Sequence, residues 1–282
     1  MLFTSETYTS AAGSYNEDIG GCISNAAWIL DGATSLSRRT VPDSNGQHIS
    51  DAAHFVTTLS AEVHRGIGNG QDIARALDSS LRSVRQDADI RGFLDEEVDV
   101  PSASFAAVQL TGPCLQVANL GDCTILLQAD NGTITSFGDS AVRQLDAALL
   151  SSYLALRRKV SDRGAVREAL VPLIRENRAR MNTPGGYWIL EPRGLGLSGL
   201  QQMTIRFSTE VRGLLVTDGL YRIVDTYHLM RMEEFFEEAF SASGLERLVS
   251  HTRDAEILDS NETRWPRVKA RDDATIVKFE IQ

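Results

Sequence analysis

Short apolar runs that stop against acidic residues punctuate this chain. Ala26-Ala27-Trp28-Ile29-Leu30 runs into Asp31-Gly32, and Gly213-Leu214-Leu215-Val216-Thr217 runs into Asp218-Gly219. Asp272-Asp273 stands immediately before Ala274-Thr275-Ile276-Val277. Such runs, bounded by turn-forming residues, predict buried strands. The alternation of Leu2 and Thr4 against Phe3 and Ser5 predicts a strand over 1–10, and a second is expected over 20–30.

A helical period follows. Ala52, Phe55, Val56, Leu59 and Val63 share one face, and the glycines from Gly66 to Gly70 are expected to end the helix. Ile73, Ala76, Leu77, Leu81 and Val84 then mark a second helix. A short loop joins the two, so they should pack as an antiparallel pair over a sheet.

Residues 104–137 predict a meander. Ser104 to Leu110 and Cys114 to Leu120 are joined by Thr111-Gly112-Pro113; Cys123 to Ala129 and Thr133 to Phe137 are joined through Asn131-Gly132. Residues 143–182 and Tyr227 to Ser250 read as helical, and Met203 to Phe207 and Thr275 to Ile281 as strands. Hairpin-linked strands and helix pairs occurring in blocks indicate an α+β layered fold, not a doubly wound parallel sheet.

The 282 residues, 42% of them hydrophobic, suffice for a large core. A formal net charge of −10 argues against a nucleic-acid partner. No apolar run approaches the length needed to span a bilayer, and the N-terminus lacks the basic and apolar regions of a signal peptide. The three cysteines, Cys22, Cys114 and Cys123, form no metal or disulfide pattern and read as small core residues in a reducing, cytoplasmic setting.

The chemistry lies in the acids. A carboxylate at the end of a buried strand is held rigidly at the sheet rim, and several on one rim repel one another unless a cation lies between them. Asn16-Glu17-Asp18, Asp31-Gly32, Asn119-Leu120-Gly121-Asp122, Asp218-Gly219 and Asp272-Asp273 form such a set. Clustered oxygen ligands suit Mg²⁺ or Mn²⁺. Ser102 and Ser104 read as strand-start residues, and the histidines are scattered with no ligand spacing.

Taken in order, Asn16-Glu17-Asp18, Leu30-Asp31-Gly32, Ser102-Ala103-Ser104, Ala118-Asn119-Leu120-Gly121-Asp122, Leu215-Val216-Thr217-Asp218-Gly219-Leu220 and Asp272-Asp273-Ala274-Thr275 resemble the metal-dependent serine/threonine protein phosphatases of the 2C (PPM) type, in a divergent bacterial-like form. The resemblance runs from Asn16 to Ile281. It implies one phosphatase-like domain over 1–282, a four-layer α-β-β-α sandwich of two antiparallel sheets flanked by helix pairs. It also implies a variable flap at 139–200 beside the cleft. It further implies two Mg²⁺ or Mn²⁺ ions, with a third in some members. Asp31 would bridge the metals, with Glu17, the Gly32 carbonyl, Asp218 and Asp272 as further ligands. Asp18 belongs to the metal set by orienting water, and Asp122 would serve the third ion with Asp218. Asp31 and Asp218 would be the catalytic pair, supporting in-line hydrolysis of a phosphorylated protein or peptide by a metal-activated water.

The chain departs from the family twice. Gly13 stands where many members carry a phosphate-binding arginine, and Ala33 replaces the histidine of Asp-Gly-His-Gly-Gly. Arg38 and Arg39 are the first replacement candidates for phosphate, followed by Arg193 and Arg222. Two other functions stay open on these grounds: a weak or inactive regulatory binding protein, and a hydrolase of small phosphoesters.

Overall fold

The computed structural model describes residues 1–95, 98–128, 132–139, 141–207 and 210–282. Two five-stranded antiparallel sheets stack face to face. The first holds, in spatial order, β1 (Phe3–Ser10), β12 (Ala274–Ile281), β11 (Val211–Val216), β8 (Thr124–Gln128) and β9 (Ile134–Phe137). The second holds β10 (Gln201–Arg206), β7 (Cys114–Leu120), β6 (Ser102–Thr111), β3 (Ala26–Ala33) and β2 (Asp18–Ile23). A two-stranded ribbon, β4 (Thr40–Pro42) with β5 (His48–Ser50), lies apart.

Period-two alternation sorts the side chains into layers. Ala27, Ile29, Ala106 and Val108 meet Ile125, Leu215, Val277 and Phe279 between the sheets. From the same strands, Trp28, Leu30 and Phe105 point outward onto α1 (Asp51–Gly68) and α2 (Ile73–Ile90). The predicted helix faces, Phe55, Val56, Leu59 and Val63 with Ile73, Leu77, Leu81 and Val84, are the residues that pack there. Ser50 caps α1 by accepting from the Ala53 N–H. On the opposite face, α5 (Asp218–Asp225), α6 (Met232–Ala239) and α7 (Gly244–Leu258) cover the first sheet through Leu220, Phe235, Phe236 and Leu248. The expected α-β-β-α sandwich is therefore present.

Between β9 and β10 rises a helical hairpin, α3 (Ala141–Arg157) and α4 (Arg163–Ala179), closed by its own small cluster of Tyr153, Val166 and Leu170. It docks on the segment before β12. The Tyr153 hydroxyl donates to Glu262 at 3.1 Å, and Arg167 donates to the Val268 carbonyl at 2.9 Å.

Several boundaries differ from expectation. The strand expected over 20–30 is two, β2 and β3, joined at Ser24-Asn25, a turn without glycine or proline to announce it. The helix over 143–182 is broken at 158–162, and that over Tyr227 to Ser250 becomes α6 and α7. Helix α1 runs through Gly66 to Gly68 because the fold buries Ile67. Cys123 is buried as expected. Cys22, on the edge strand β2, is exposed, and Cys114 is half-buried at a strand end, so the core reading holds for Cys123 alone. Asn131 of the Asn131-Gly132 hairpin lies outside the described residues, as does Ala129. Among the described residues, no helix is long and apolar enough to cross a membrane.

Candidate metal centre

Asp31 lies two residues beyond Ile29 on the face that meets the opposite sheet, where the apolar inter-sheet layer gives way to polar residues. Its cross-strand neighbours are Asp18 on β2 and Ser104 on β6. Gly32, turned to the other face, allows the Glu17 loop to close in. The Gly32 N–H donates to the Glu17 carbonyl at 2.9 Å, and a Cβ at Gly32 would stand only 2.5 Å from that oxygen. Glu17 itself hangs from Asp273, whose two carboxylate oxygens accept from the Ala12 and Glu17 N–H groups at 2.6 and 2.7 Å.

The first sheet meets this rim through threonines. The buried Thr217, directly before Asp218, donates to Asp18 at 2.8 Å and accepts from the Thr275 N–H at 3.0 Å. Asp122 follows β7 at a turn that requires Gly121, which adopts φ +85° against Ser104. The Ser104 hydroxyl donates to Asp122 at 2.5 Å. Asp218 opens α5, and Asp272 precedes β12.

The charges of these acids act on one another. Burial pushes the Asp31 carboxyl well up, and the charges of Asp18, Asp218, Asp122 and Asp272 add to it. Burial likewise raises Asp18; the Thr217 hydrogen bond offsets part, while Asp273, Asp272 and Asp218 raise it further. Burial and then Asp218 push Asp122 up to about 6, against the hydrogen bond from Ser104. Burial, and then the charges of Asp31 and Asp122, push the Cys123 thiol well up, which disfavours a thiolate there.

Asp272 is different. Burial raises its carboxyl, but Lys269 and Arg222 more than offset that and hold it below the usual range. Lys269 Nζ lies 2.9 Å from one carboxylate oxygen and Arg222 Nη2 3.1 Å from the other. Arg222 also lies 3.4 Å from Asp218. Asp31, by contrast, has no side-chain hydrogen bond or ion pair among the described residues.

The donor chemistry fits a hard divalent cation: carboxylates on a rigid rim, and a glycine that admits a backbone carbonyl. Among the described residues, however, no three His, Cys, Asp or Glu side chains stand close enough together to hold a metal as they are. Their oxygens are engaged elsewhere. Glu17 accepts from the Thr34 hydroxyl, Asp122 from Ser104, Asp18 from Thr217, and Asp272 is paired with two cations. Ligation would require these side chains to turn inward.

The proposed phosphate candidates separate. Arg39 donates to the carbonyls of Gly92 and Asp99 and pairs with Asp99 and Asp51, so its guanidinium is engaged in pinning the loop before α1. Arg38 is exposed, with a left-handed backbone at φ 51°. Arg193 donates to the Leu94 carbonyl at 3.3 Å. Arg222 is at the acidic rim, ion-paired with Asp218 and Asp272.

Three contributors escaped the sequence reading: Lys269, the supporting role of Asp273, and Asp146 on α3. Asp146 is exposed to solvent on one side, yet partial burial and then the charges of Asp122 and Asp218 push its carboxyl up to about 7. Nothing in the local sequence marks it, because the acids it faces are brought to it only by the fold.

No protein-family model and no curated protein matches the sequence. Solved structures do match in shape. The catalytic domain of the serine/threonine protein phosphatase PstP, solved with two manganese ions, superposes with a TM-score of 0.57 at 14% identity, over 100% of this chain and 99% of that one. The chain has the PPM phosphatase fold. The PPM Ser-Thr phosphatase MsPP from Mycobacterium smegmatis, solved with cacodylate, gives 0.57 at 16% identity, over 98% of this chain and 97% of that one. A serine/threonine phosphatase from Staphylococcus aureus gives 0.56 at 14% identity, over 100% and 96%. At these identities the likeness is one of fold.

Proposed function

We propose that this chain is a divalent-metal-dependent phosphatase that hydrolyses phosphoserine or phosphothreonine in proteins or peptides. One observation carries the reading. Asp31 has no hydrogen-bonding or ionic partner among the described residues, yet its carboxyl feels four other carboxylates at the rim of a phosphatase-fold sandwich. An anionic focus of that kind calls for a cation.

Asp31 is assigned as the shared ligand, with Glu17, the Gly32 carbonyl, Asp218 and Asp272 completing the set for two ions; Asp122 and Asp218 would hold a third. Mg²⁺ or Mn²⁺, when bound, would acidify water and neutralise phosphoryl charge. Asp18, held by Thr217, is assigned to orient that water. Ser104 fixes Asp122, and Asp273 fixes the loop that carries Glu17. Arg38, exposed just past the Asp31-Gly32 motif, is the best-placed free guanidinium for the substrate phosphate. The whole chain is read as one catalytic domain, with 139–200 as the flap that selects substrate and Asp146 on its cleft side. Sparse, unbridged cysteines support a cytoplasmic setting.

A panel comparing phosphoserine and phosphothreonine peptides with nucleotides and sugar phosphates at equal concentration tests the substrate class. Higher kcat/KM on the peptides is the expected result; preference for small phosphoesters would overturn the protein-phosphatase reading.

A further inference from the structure

We propose that Arg222 and Lys269 are resident counter-cations that compete with a divalent ion for Asp218 and Asp272, and that Arg222 retreats to Tyr227 and Glu256 when the ion enters. The inference rests on the assignment of Asp218 and Asp272 as ligands under the proposed function.

The two ends of the acidic rim are unequally compensated. At one end Asp31 has no basic partner, and Asp18 and Glu17 are held by threonine hydroxyls. At the other, Lys269 and Arg222 take opposite oxygens of Asp272, and Arg222 spans to Asp218. Both pairings are built into local structure. Arg222 lies one helical turn after Asp218 on α5, and Lys269 lies three residues before Asp272. A divalent ion approaching Asp31 meets a carboxylate with no direct ion pair to break among the described residues. One approaching Asp218 and Asp272 must displace two positive charges. The two sites therefore fill in sequence, with the Asp31 side first.

Both cations have somewhere to go. Lys269 is 62% exposed and can swing into solvent. The Arg222 side chain is only 13% exposed, so it needs an internal acceptor. Two are at hand. The Tyr227 hydroxyl and Glu256 Oε1 are buried without a well-formed hydrogen bond, although the other Glu256 oxygen pairs with Arg253 at 2.9 Å and the Arg222 guanidinium already stands beside the Tyr227 hydroxyl. Both act electrostatically on Arg222. The backbone already joins Tyr227 to Arg222, through the Tyr227 N–H to the Arg222 carbonyl at 2.6 Å. Rotation of one guanidinium would thus release Asp218 and one oxygen of Asp272, the other staying on Lys269, and would bring a donor to two buried oxygens.

The consequence is a metal affinity set by an internal equilibrium. If the clamped arrangement is populated about nine-tenths of the time, the apparent affinity of the second site falls about tenfold. The test is calorimetric titration of the full chain with Mn²⁺, for wild type, Lys269→Met, Arg222→Met, Tyr227→Phe and the control Asp31→Asn. Lys269→Met, at an exposed position, keeps the test valid if Arg222→Met does not fold. The weaker binding event should tighten about tenfold in either cation variant and weaken in Tyr227→Phe, which removes one acceptor for the displaced guanidinium and leaves both clamped carboxylates in place. If wild type binds, Asp31→Asn does not, and neither cation variant tightens the weaker event, the competition is refuted while the metal reading stands. No binding by wild type or any variant would overturn both.

Discussion

Asp18 and Asp31 face each other across the β2–β3 ladder, two carboxylates on the same side of adjacent strands. Like charges directly opposed in a sheet destabilise it, and here both are also raised by burial. Asp31→Asn removes one charge at nearly constant shape. In EDTA the variant should be more stable by about 1 kcal/mol, a rise in Tm of about 2–4 °C for a chain this size. The same variant should lose the stabilisation that Mn²⁺ gives the wild type. Thermal melts with and without Mn²⁺ read both effects, and a variant still stabilised by the ion would refute the ligand assignment.

Acidity should govern the metal-free fold in the opposite sense to most carboxylates. Asp18 and Asp31 are raised, and Asp122 lies at about 6. A carboxyl raised on folding favours the folded state while protonated, and that contribution is lost as pH rises through the folded value. These groups should therefore make the metal-free protein more stable as pH falls from about 7 to about 5. Metal affinity should fall over the same interval, because the ligands must ionise, and binding should release protons. Calorimetry at about pH 5.5 in buffers of different ionisation enthalpy measures that release; its absence would contradict the assignment.

Thr217 links the two sheets at the site. Thr217→Val keeps its shape but removes the donor to Asp18 and the acceptor for the Thr275 N–H, all at buried positions. A loss of about 1–3 kcal/mol is expected for polar groups left unsatisfied, measurable by urea unfolding. An unchanged midpoint would mean that water replaces the hydroxyl.

Asp259 organises the segment leading to Asp272. Its carboxylate accepts from the Thr263, Arg264 and Trp265 N–H groups and pairs with the buried Arg267 at 2.9 Å. Burial opposes ionisation there, but these donors prevail and hold its carboxyl well below the usual range. Its contribution is present above the ordinary carboxylate range and is lost only as pH falls through the low folded value. Asp259→Ala should cost about 3 kcal/mol, because Arg267 is left buried and unpaired. Chemical denaturation checks this, and a cost under about 1 kcal/mol would refute the role.

Gly13 stands in open space, with nothing within 4 Å of an added Cβ. Gly13→Arg should fold normally and restore a guanidinium beside the Glu17 loop. A bidentate phosphate contact there should lower KM about tenfold, equivalent to about 1.4 kcal/mol. Steady-state kinetics would read it; an unchanged KM would show that the position does not face substrate.

The sandwich was legible because its signals are local. The spacing of Phe55, Val56, Leu59 and Val63 needs only a helix and one apolar face, and the runs into Asp31 and Asp218 need only a buried strand and a rim. What escaped depends on chain partners far apart. The Ser24-Asn25 turn carries no glycine, so β2 and β3 read as one strand. Asp218-Gly219 reads as a turn, yet it begins α5, with Gly219 packed against the Asp273 carbonyl. Nothing in Asp272-Asp273 itself tells which acid is the ligand and which is structural. In the fold Asp273 is a bracket for the Ala12 and Glu17 amides, a pairing across the whole chain. Arg222 and Lys269 could be counted in the sequence, but their placement on Asp272 required the fold.

Hydrolysis of p-nitrophenyl phosphate with Mn²⁺, Mg²⁺ or EDTA, for wild type and folded Asp218→Asn, decides whether the acidic rim is a metal-dependent phosphatase centre. Turnover with either ion, abolished by EDTA and by the substitution, is the predicted result. Turnover that survives EDTA or Asp218→Asn, or no turnover by folded protein that binds Mn²⁺, would contradict it.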